Sequence, residues 1–220
     1  MSAGSAIATT VIAVNRGRPG TVAPRGRAEA TGIFKEPVAG RAAISAEGLD
    51  GDIIVSTRHH GGPDQAIYLY SAADYAWWSQ ELGGTPLPPG SFGENLTLGD
   101  WWAPPRIGDR LRIGEVELQI SGARIPCGTL AARMGDPGFV KRFARARRPG
   151  CYARVLVAGK VGAGDTVTLL ESSPSHPTVN EVFDQWYLEA RDPQVLRRLL
   201  QAPLAERAAA TLRHWLAQVD

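Results

Sequence analysis

The chain has 220 residues, a length that suits one large domain or a main domain with a small appendage. With 44% hydrophobic and 21% charged residues, the composition excludes a disordered chain and is typical of a globular protein rich in turns. The net charge of +2 does not favour nucleic acid as a partner, and no segment approaches the roughly 20 apolar residues of a membrane span.

Residues 7 to about 171 are predicted to form short strands separated by turns, at the spacing typical of β-sandwiches and β-barrels. The clearest strand segments are AIATTVIAV, AIYLY, YARVLVAG and DTVTLLE. RLRIGEVELQI alternates polar and apolar residues on both sides of a Gly-Glu pair, which predicts a tight hairpin. Three Gly-Asp pairs, at 51–52, 108–109 and 164–165, are each predicted to turn the chain into a strand, as at the corners of a barrel.

Two helices are predicted within this strand region. The first has Ser71 as its N-cap with Asp74 three residues on, and it ends at a Gly-Gly pair. The second is predicted over residues 136–148, with Asp136 as its N-cap and Pro137 as its first helical residue. Its basic residues are expected to face outward. We interpret this basic face as a solvated surface, because the near-neutral total charge does not favour nucleic acid as a partner.

After a linker near residues 171–177 the pattern becomes helical. Thr178 and Glu181 form a capping-box pattern for a helix that continues to about residue 190. Further helices are predicted to begin at an Asp-Pro pair, 192–193, and at a later proline, 203.

We therefore expect two domains, a strand domain over residues 1–172 and a three-helix domain over residues 177–220. The second is too small to be very stable alone, so it should pack on the strand domain or on another subunit, and its apolar helices are compatible with a homodimer. The N-terminal segment has no basic leader before its apolar run, so we expect a cytoplasmic protein without a membrane span.

Cys127 is a candidate for nucleophilic or metal-binding chemistry. A proline stiffens the chain just before it and a glycine lets the backbone turn just after it, so the thiol is expected at a loop. Arg124 and Arg133 would favour the thiolate, which is the form that attacks a substrate or ligates a metal. The alternative is a small buried apolar residue, and this alternative is favoured for Cys151 at the start of a strand.

The segment TRHHGGPDQAIYLY combines polar side chains with a glycine-rich turn. Adjacent histidines on a strand point to opposite faces, so His60 and its neighbour are not expected to chelate one metal ion. Gly61 and Gly62 are predicted to expose consecutive backbone N–H groups as an anion-binding concavity beside His60. Asp64 and Gln65 would add hydrogen-bonding groups to this ligand wall.

The segment PGSFGENLTLGD has a similar composition. Gly90 and Gly93 frame a loop that carries Phe92, Glu94 and Asn95. An apolar ring beside a carboxylate and an amide could recognise the edge of a heterocycle. The alternative, an ordinary polar connection between strands, has comparable weight on the residues alone.

The segments GLDGD, HHGGPDQAIYLY, PGSFGENLT, IGDRLRIG, ARIPC and RPGCYARV occur in the order found in MOSC domain proteins, which are named for the C-terminal domain of molybdenum cofactor sulfurases. The chain resembles this family from about residue 7 to its end. The helices after SSPSHPTV resemble the C-terminal appendage of the bacterial branch linked to resistance against N-hydroxylaminopurines.

The resemblance implies a protein that is mainly β with α, with a closed, mostly antiparallel β-barrel that binds molybdenum cofactor (molybdopterin). It implies that Cys127 is the catalytic residue and either ligates molybdenum or carries sulfur. The other positions carried over as cofactor-binding are His60, Gly61, Gly62, Phe92, Gly93, Glu94, Asn95 and Arg124. Many bacterial members have PCWKL where this chain has PCGTL, so Thr129 replaces a lysine, and Arg133 or Arg154 would have to substitute for that anion contact.

Three functions follow from the resemblance. The leading hypothesis is a molybdenum-cofactor-dependent oxidoreductase that reduces N-hydroxylated bases or related N-oxygenated compounds. No flavin or iron–sulfur signature is present in the sequence, so a separate reductase is expected to supply the electrons. The alternatives are a sulfur transferase that uses a Cys127 persulfide and a carrier that holds the cofactor without turnover.

Overall fold

The computed structural model describes residues 8–55 and 61–219. The strands in these residues are β1 (Ala8–Val22), β2 (Glu29–Pro37), β3 (Arg41–Ser45), β4 (Gly48–Leu49), β5 (Ile67–Ser71), β6 (Leu96–Leu98), β7 (Arg110–Ile113), β8 (Val116–Ala123), β9 (Cys151–Val157), β10 (Gly159–Gly162) and β11 (Thr166–Glu171). The helices are α1 (Ala72–Glu81), α2 (Gly128–Arg133), α3 (Phe139–Ala146), α4 (Val179–Asp184), α5 (Pro193–Leu199) and α6 (Glu206–Val219). None of these helices is long and apolar enough to cross a membrane.

Seven strands close into a barrel in the order β1, β6, β5, β9, β8, β7 and β11, and β11 pairs back to β1. All neighbouring pairs are antiparallel except β5 with β6, which is parallel. Helix α1 lies between these two strands in the chain, because a parallel pair needs a crossover connection. The predicted closed barrel is therefore present as a mixed sheet. Strand β2 pairs with β1 outside the barrel, and β10, β3 and β4 form a separate small sheet.

Turns occur at most of the predicted positions. Gly114, with a φ of 57°, joins β7 to β8 in the predicted hairpin, and Gly108 and Gly164 precede β7 and β11. The Gly-Asp pair at 51–52 is an exception, because the described residues that follow it directly, 53–55, form no strand. The carboxylate of Asp52 accepts hydrogen bonds from groups on β1 and β2, so the chain that follows is held on those strands instead of joining a sheet ladder.

Helix α1 begins as predicted, because the Ser71 side chain accepts a hydrogen bond from the N–H of Asp74. Helix α3 begins at Phe139, later than predicted. Asp136 binds the N–H of Gly138 at 2.7 Å, so the predicted cap closes a turn just before the helix. The short helix α2 was not predicted, since its sequence was interpreted as a loop.

The three helices after the barrel begin close to the predicted signals. Helix α4 begins at the capping box of Thr178 and Glu181 but ends at Asp184, and α5 begins after Asp192. Helix α6 begins at Glu206 rather than at the preceding proline.

The late start of α6 has a tertiary cause. The carbonyl oxygens of Pro203 and Leu204 accept hydrogen bonds from Arg154 on β9, at 3.1 Å each. These contacts hold the segment against the barrel, so it does not form a helical turn.

Two hydrophobic clusters lie on opposite faces of β5. Ile67 and Leu69 belong to the cluster inside the barrel, and Tyr68 and Tyr70 belong to a mostly aromatic cluster with α1 and α3, as the alternation of a strand requires. The C-terminal helices add residues such as Leu196 to the first cluster, so they share its core with the barrel. The division into domains near residues 172–177 stays a prediction.

Candidate functional site

A pocket of about 260 Å³ lies beside Cys127, against β2, the residues after β8 and the segment 53–55. It is called the Cys127 pocket below. The predicted residues that line it are Gly61, Gln65, Gly93, Asn95, Arg124 and Cys127. The fold brings these residues together from loops that are far apart in the sequence. Thr129 also lines the pocket.

Cys127 lies where the chain after β8 enters α2, and it is half-buried. Its carbonyl oxygen accepts hydrogen bonds from the N–H groups of Leu130 and Ala131 at 3.1 and 3.2 Å, in the first turn of the helix. Gly128 is the first helical residue, so the expected loop is a junction between a loop and a helix. The helix fixes the backbone of the cysteine at the pocket wall.

Arg124 is a buried cation beside this cysteine, with only 5% of its surface exposed. Its Nη1 donates to the Tyr152 hydroxyl at 3.3 Å, and its guanidinium carbon lies 5.0 Å from the centre of the Tyr68 ring. Its Nε is buried and has no hydrogen-bond partner among the residues that the structure describes. Burial acts to lower the pKa of Arg124, but Tyr152, Tyr68 and Cys127 together outweigh it, so the pKa is raised and the group stays charged.

Both polar atoms of the Asn95 side-chain amide form hydrogen bonds within the protein. Its Oδ1 accepts the N–H of Tyr68 at 3.1 Å, and its Nδ2 donates to Asp52 Oδ2 at 2.9 Å. The side chain therefore connects β5 to the segment after β4, and the pocket is lined by a fixed amide.

Lys35 and Asp52 form a buried ion pair at the pocket that sequence reasoning missed. Lys35 lies on β2 and lines the pocket, and its Nζ is 2.5 Å from Asp52 Oδ2. Burial lowers the pKa of Lys35, although the contact with Asp52 opposes that effect. The available signal was that the chain has only three lysines among many arginines.

Gly61 and Gly93 let the backbone approach the pocket closely. Both have positive φ, 71° and 78°. A Cβ at Gly93 would lie 3.1 Å from the Ile33 side chain and 3.9 Å from Arg124 Nη1, and one at Gly61 would lie 2.9 Å from Ile54. A side chain at either position would crowd the pocket wall.

Phe92 and Glu94 lie behind the wall. Phe92 is fully buried and stacks on Tyr70, with 4.5 Å between the ring centres. Glu94 Oε1 accepts hydrogen bonds from the Tyr75 hydroxyl, Gly90 N–H and Thr97 hydroxyl at 2.6 to 2.7 Å. Burial raises the pKa of Glu94, and these hydrogen bonds oppose the shift. Neither residue lines the pocket, so the structure does not place them where a heterocycle edge would be recognised.

Asp64 and Arg154 contact each other away from the pocket, at 2.9 Å between carboxylate and Nε. Arg154 also donates hydrogen bonds to Gln119 and to carbonyl oxygens before α6, so its guanidinium holds parts of the fold together. Arg133 lies over the Phe34 ring at 4.8 Å. Neither arginine lines the pocket in place of the lysine missing at Thr129.

The remaining predicted residues have different positions. Gly62 is exposed at the start of a short 3₁₀ turn and does not line the pocket, and His60 lies outside the described residues. Cys151 packs in the barrel core as predicted, and burial raises the pKa of its thiol well above the ordinary value. Over residues 8–55 and 61–219, no group of three or more His, Cys, Asp or Glu side chains is placed to hold a metal ion.

Comparison with known proteins gives consistent results. A family model described as MOSC domain matches residues 56–168. The chain is 33% identical to the uncharacterized protein YflK of Bacillus subtilis (strain 168), over 90% of each chain. It is 36% identical to a protein of Gibberella moniliformis named reductase, over 63% of this chain but 25% of that protein.

The fold has also been solved in a relative. A crystal structure of YiiM from Geobacillus stearothermophilus superimposes with a TM-score of 0.78 at 26% sequence identity, covering 94% of this chain and 99% of the other. The family model covers the strands that build the barrel from β5 to β9 and the first half of β11. On the matching model and the identity over most of its length, the chain belongs to the MOSC domain family.

Proposed function

We propose that this chain binds molybdenum cofactor in the Cys127 pocket and reduces N-hydroxylated bases or related N-oxygenated compounds. The family supports the cofactor, because it is named for a domain of molybdenum cofactor sulfurases. The relative named reductase supports the redox class, although this chain matches only 25% of its length. The observation that carries the proposal is the buried Arg124 cation beside Cys127 in one pocket.

The residues of the pocket fit such a cofactor. Arg124 has a buried Nε that lacks a partner among the described residues, so it can bind an anionic group. Gly93 brings the backbone to the wall, which lets a ligand approach closely. Cys127 offers a thiolate, a ligand type suited to soft metal centres. When bound, the cofactor would supply the two-electron redox chemistry that protein side chains lack.

The other residues would position the ligand. Tyr68 and Tyr152 hold Arg124 between a ring face and a hydroxyl, and Asn95 braces the segment after β4. Ile33 and Ile54 add apolar surface that would exclude water from the bound group. Electrons are proposed to come from a separate reductase that docks transiently.

Metal content tests the proposal. The wild type, Cys127→Ala and Cys151→Ala would be produced in a host that makes molybdenum cofactor, and molybdenum per chain would be measured by elemental mass spectrometry. We expect near-stoichiometric molybdenum in the wild type and in Cys151→Ala, and about ten-fold less in Cys127→Ala, because a metal ligand is lost. Cys151→Ala is the matched control, since that thiol is buried in the core.

Other outcomes would change the assignment. Full molybdenum content in Cys127→Ala would contradict ligation by this cysteine. Sulfane sulfur on Cys127 without molybdenum would indicate a sulfur transferase. Molybdenum without reductase-supported turnover of hydroxylamino substrates would indicate a cofactor carrier and contradict the catalytic part of the proposal.

A further inference from the structure

A groove of about 530 Å³ lies between α3 and the residues that follow α4. It is called the α3–α4 groove below. Its apolar lining consists of Val140 and Ala144 on α3 and of Tyr187 and Leu188 after α4. Tyr187 and Leu188 leave 43% and 45% of their surface exposed, so two large apolar side chains in succession face solvent. An exposed apolar patch with a polar rim is typical of a surface that binds a partner.

The groove is held in shape by contacts between its two sides. Arg147, at the end of α3, donates to both carboxylate oxygens of Asp184, the last residue of α4, at 2.9 and 2.5 Å. Between ring centres, Phe183 lies 6.4 Å from Phe143 on α3 and 5.0 Å from Tyr187. A preformed groove loses little conformational entropy when a partner binds, so this surface is suited to docking.

The rim of the groove carries an excess of positive charge. Lys141 and Arg145 are exposed and lie four residues apart, so they are on one side of α3. Neither forms an ion pair with a carboxylate within residues 8–55 and 61–219. Among the described residues, the one carboxylate that lines the groove belongs to Asp184, and Arg147 neutralises it. Glu189 is exposed but does not line the groove, so two positive charges are available to an acidic partner.

An acidic protein segment fits these features better than a membrane or a second copy of this chain. Its carboxylates would meet Lys141 and Arg145, and its apolar side chains would fill the groove, as when an amphipathic helix binds to a protein. The apolar residues line a groove between two elements, whereas a lipid surface requires apolar residues that protrude into it. A second copy of this chain also carries a net charge of +2, so no overall attraction draws it to a basic rim.

The groove and the Cys127 pocket adjoin the same part of the core. Val140 packs against the mostly aromatic cluster that contains Phe143 and Phe183, and Cys127 packs against the same cluster. Tyr68, which lines the pocket, also belongs to this cluster. A partner in the groove would therefore be bound over the cluster that supports the cysteine.

We propose that the α3–α4 groove docks an acidic amphipathic helix of a partner protein, with apolar side chains against Tyr187 and Leu188 and carboxylates beside Lys141 and Arg145. The identity of this partner as the separate reductase rests on the proposed function. The docking chemistry itself does not depend on the cofactor and can be measured without it.

The test is fluorescence anisotropy of a labelled synthetic peptide titrated with the full chain. The peptide has about 12 residues, with leucines three and four positions apart on one helical face and glutamates on the other. We expect saturable binding that weakens as the ionic strength is raised from about 0.05 to 0.5 M. The variant Lys141→Glu, Arg145→Glu should bind at least about ten-fold more weakly, because attraction becomes repulsion.

Matched variants separate local contacts from net charge. Arg27→Glu, Lys160→Glu makes the same change in net charge at two exposed positions outside the groove, and it should bind within about two-fold of the wild type. Leu188→Ser removes an apolar contact without changing the charge and is expected to weaken binding by about five-fold or more. Its control is Leu170→Ser, an exposed leucine on β11, which should have no effect.

Four results would overturn the proposal. The first is the absence of saturable binding by the wild type at about 1 mM peptide. The second is an equal loss in both charge-reversal variants, which would reflect net charge alone. Binding of phosphatidylserine vesicles in place of the peptide would assign the surface to a membrane, and a dimer that dissociates in Leu188→Ser would assign it to a second copy.

Turnover with a purified reductase tests the identity of the partner. Lys141→Glu, Arg145→Glu should raise the KM for the reductase by about ten-fold and leave turnover with a small chemical reductant unchanged. An unchanged KM for the reductase would contradict the assignment of this partner. Peptide binding without any turnover by the wild type would refute the proposed function and leave the docking surface standing, so the two failures are distinguishable.

Discussion

At the scale of single residues, Gly32 determines how one wall of the Cys127 pocket is built. A Cβ at Gly32 would lie 1.8 Å from the carbonyl oxygen of Ile53, and one at Gly17 would lie 2.5 Å from the carbonyl oxygen of Gly32. Contacts this short require the backbone to move. These glycines therefore allow the segment 53–55 to lie directly on β1 and β2.

Gly32→Ala is expected to destabilise the protein by about 3 kcal/mol, because the new methyl group displaces the segment at Ile53. It should also lower retention of the proposed cofactor, since this segment lines the pocket. The matched control is Gly122→Ala on β8, where the nearest atom to an added Cβ is 4.0 Å away. Denaturant unfolding would measure both variants, and equal free energies of unfolding would contradict the expectation.

Some residues of the pocket could be found from the sequence and others could not. Cys127 and Arg124 stand out because a thiol, a proline and cations are adjacent in the chain. Lys35 and Asp52 do not stand out in the sequence, because they are buried and paired only when β2 and the segment after β4 come together. Glu94 was expected to contact a ligand as a carboxylate beside an apolar ring, but its Oε1 accepts three hydrogen bonds behind the pocket wall, so that contact stays a prediction.

At the scale of secondary-structure elements, an ion pair connects the small sheet to the barrel. Arg41 on β3 bonds both oxygens of Asp165 at 2.7 and 2.9 Å and the carbonyl oxygen of Lys160 on β10. Asp165 also accepts the N–H of Gly162 at 3.0 Å, just before β11 enters the barrel. The hydrogen bond from Arg41 is the main reason that the pKa of Asp165 lies below 3.8.

Arg41→Met is expected to raise the pH midpoint of acid unfolding. The folded pKa of Asp165 is depressed, so its stabilisation is complete above the ordinary value of 3.8 and is lost as the pH falls through the lower folded value. Without Arg41 this loss occurs at higher pH. Circular dichroism between about pH 2 and 5 measures the midpoint. Arg27→Met is the control, because Arg27 is exposed and forms no ion pair with a described residue, and a shift equal to that of Arg41→Met would contradict this explanation.

Local sequence signals predicted elements well where the chain itself supplies the contacts. The hairpin at Gly114 and the caps at Ser71 and Thr178 involve residues within a few positions of one another. The late start of α6 depends on Arg154, which is about fifty positions away in the chain, so no local pattern could reveal it.

At the scale of the whole molecule, Arg154 joins the barrel to the C-terminal helices. It bonds Asp64 and Gln119 within the strand region and two carbonyl oxygens before α6. Asp64 in turn accepts the N–H of Glu206, the first residue of α6, at 2.9 Å. The N–H of Ala205 also donates to the Ser121 carbonyl oxygen at 2.7 Å, which fixes the same segment to β8.

Arg154→Met is expected to lower the free energy of unfolding by about 2 kcal/mol or more, because several charge-assisted hydrogen bonds are lost and buried acceptors remain. Hydrogen exchange should increase first in α6. The matched control is Arg213→Met on α6, which breaks an exposed, solvent-screened ion pair with Glu206 and should have a much smaller effect on stability than Arg154→Met. A loss of cofactor binding by Arg154→Met without any loss of stability would favour a role for Arg154 in the pocket.

The class of fold, most of the caps and turns, and the family could be predicted from the sequence, because these depend on periodicity, on residues a few positions apart and on short motifs in order. Which polar residues face the pocket depends on tertiary contacts that no local pattern reveals. A barrel brings β2, the segment after β4 and the end of β8 into contact although they are distant in the chain, and only that contact buries Lys35 and Arg124 in the wall of one pocket.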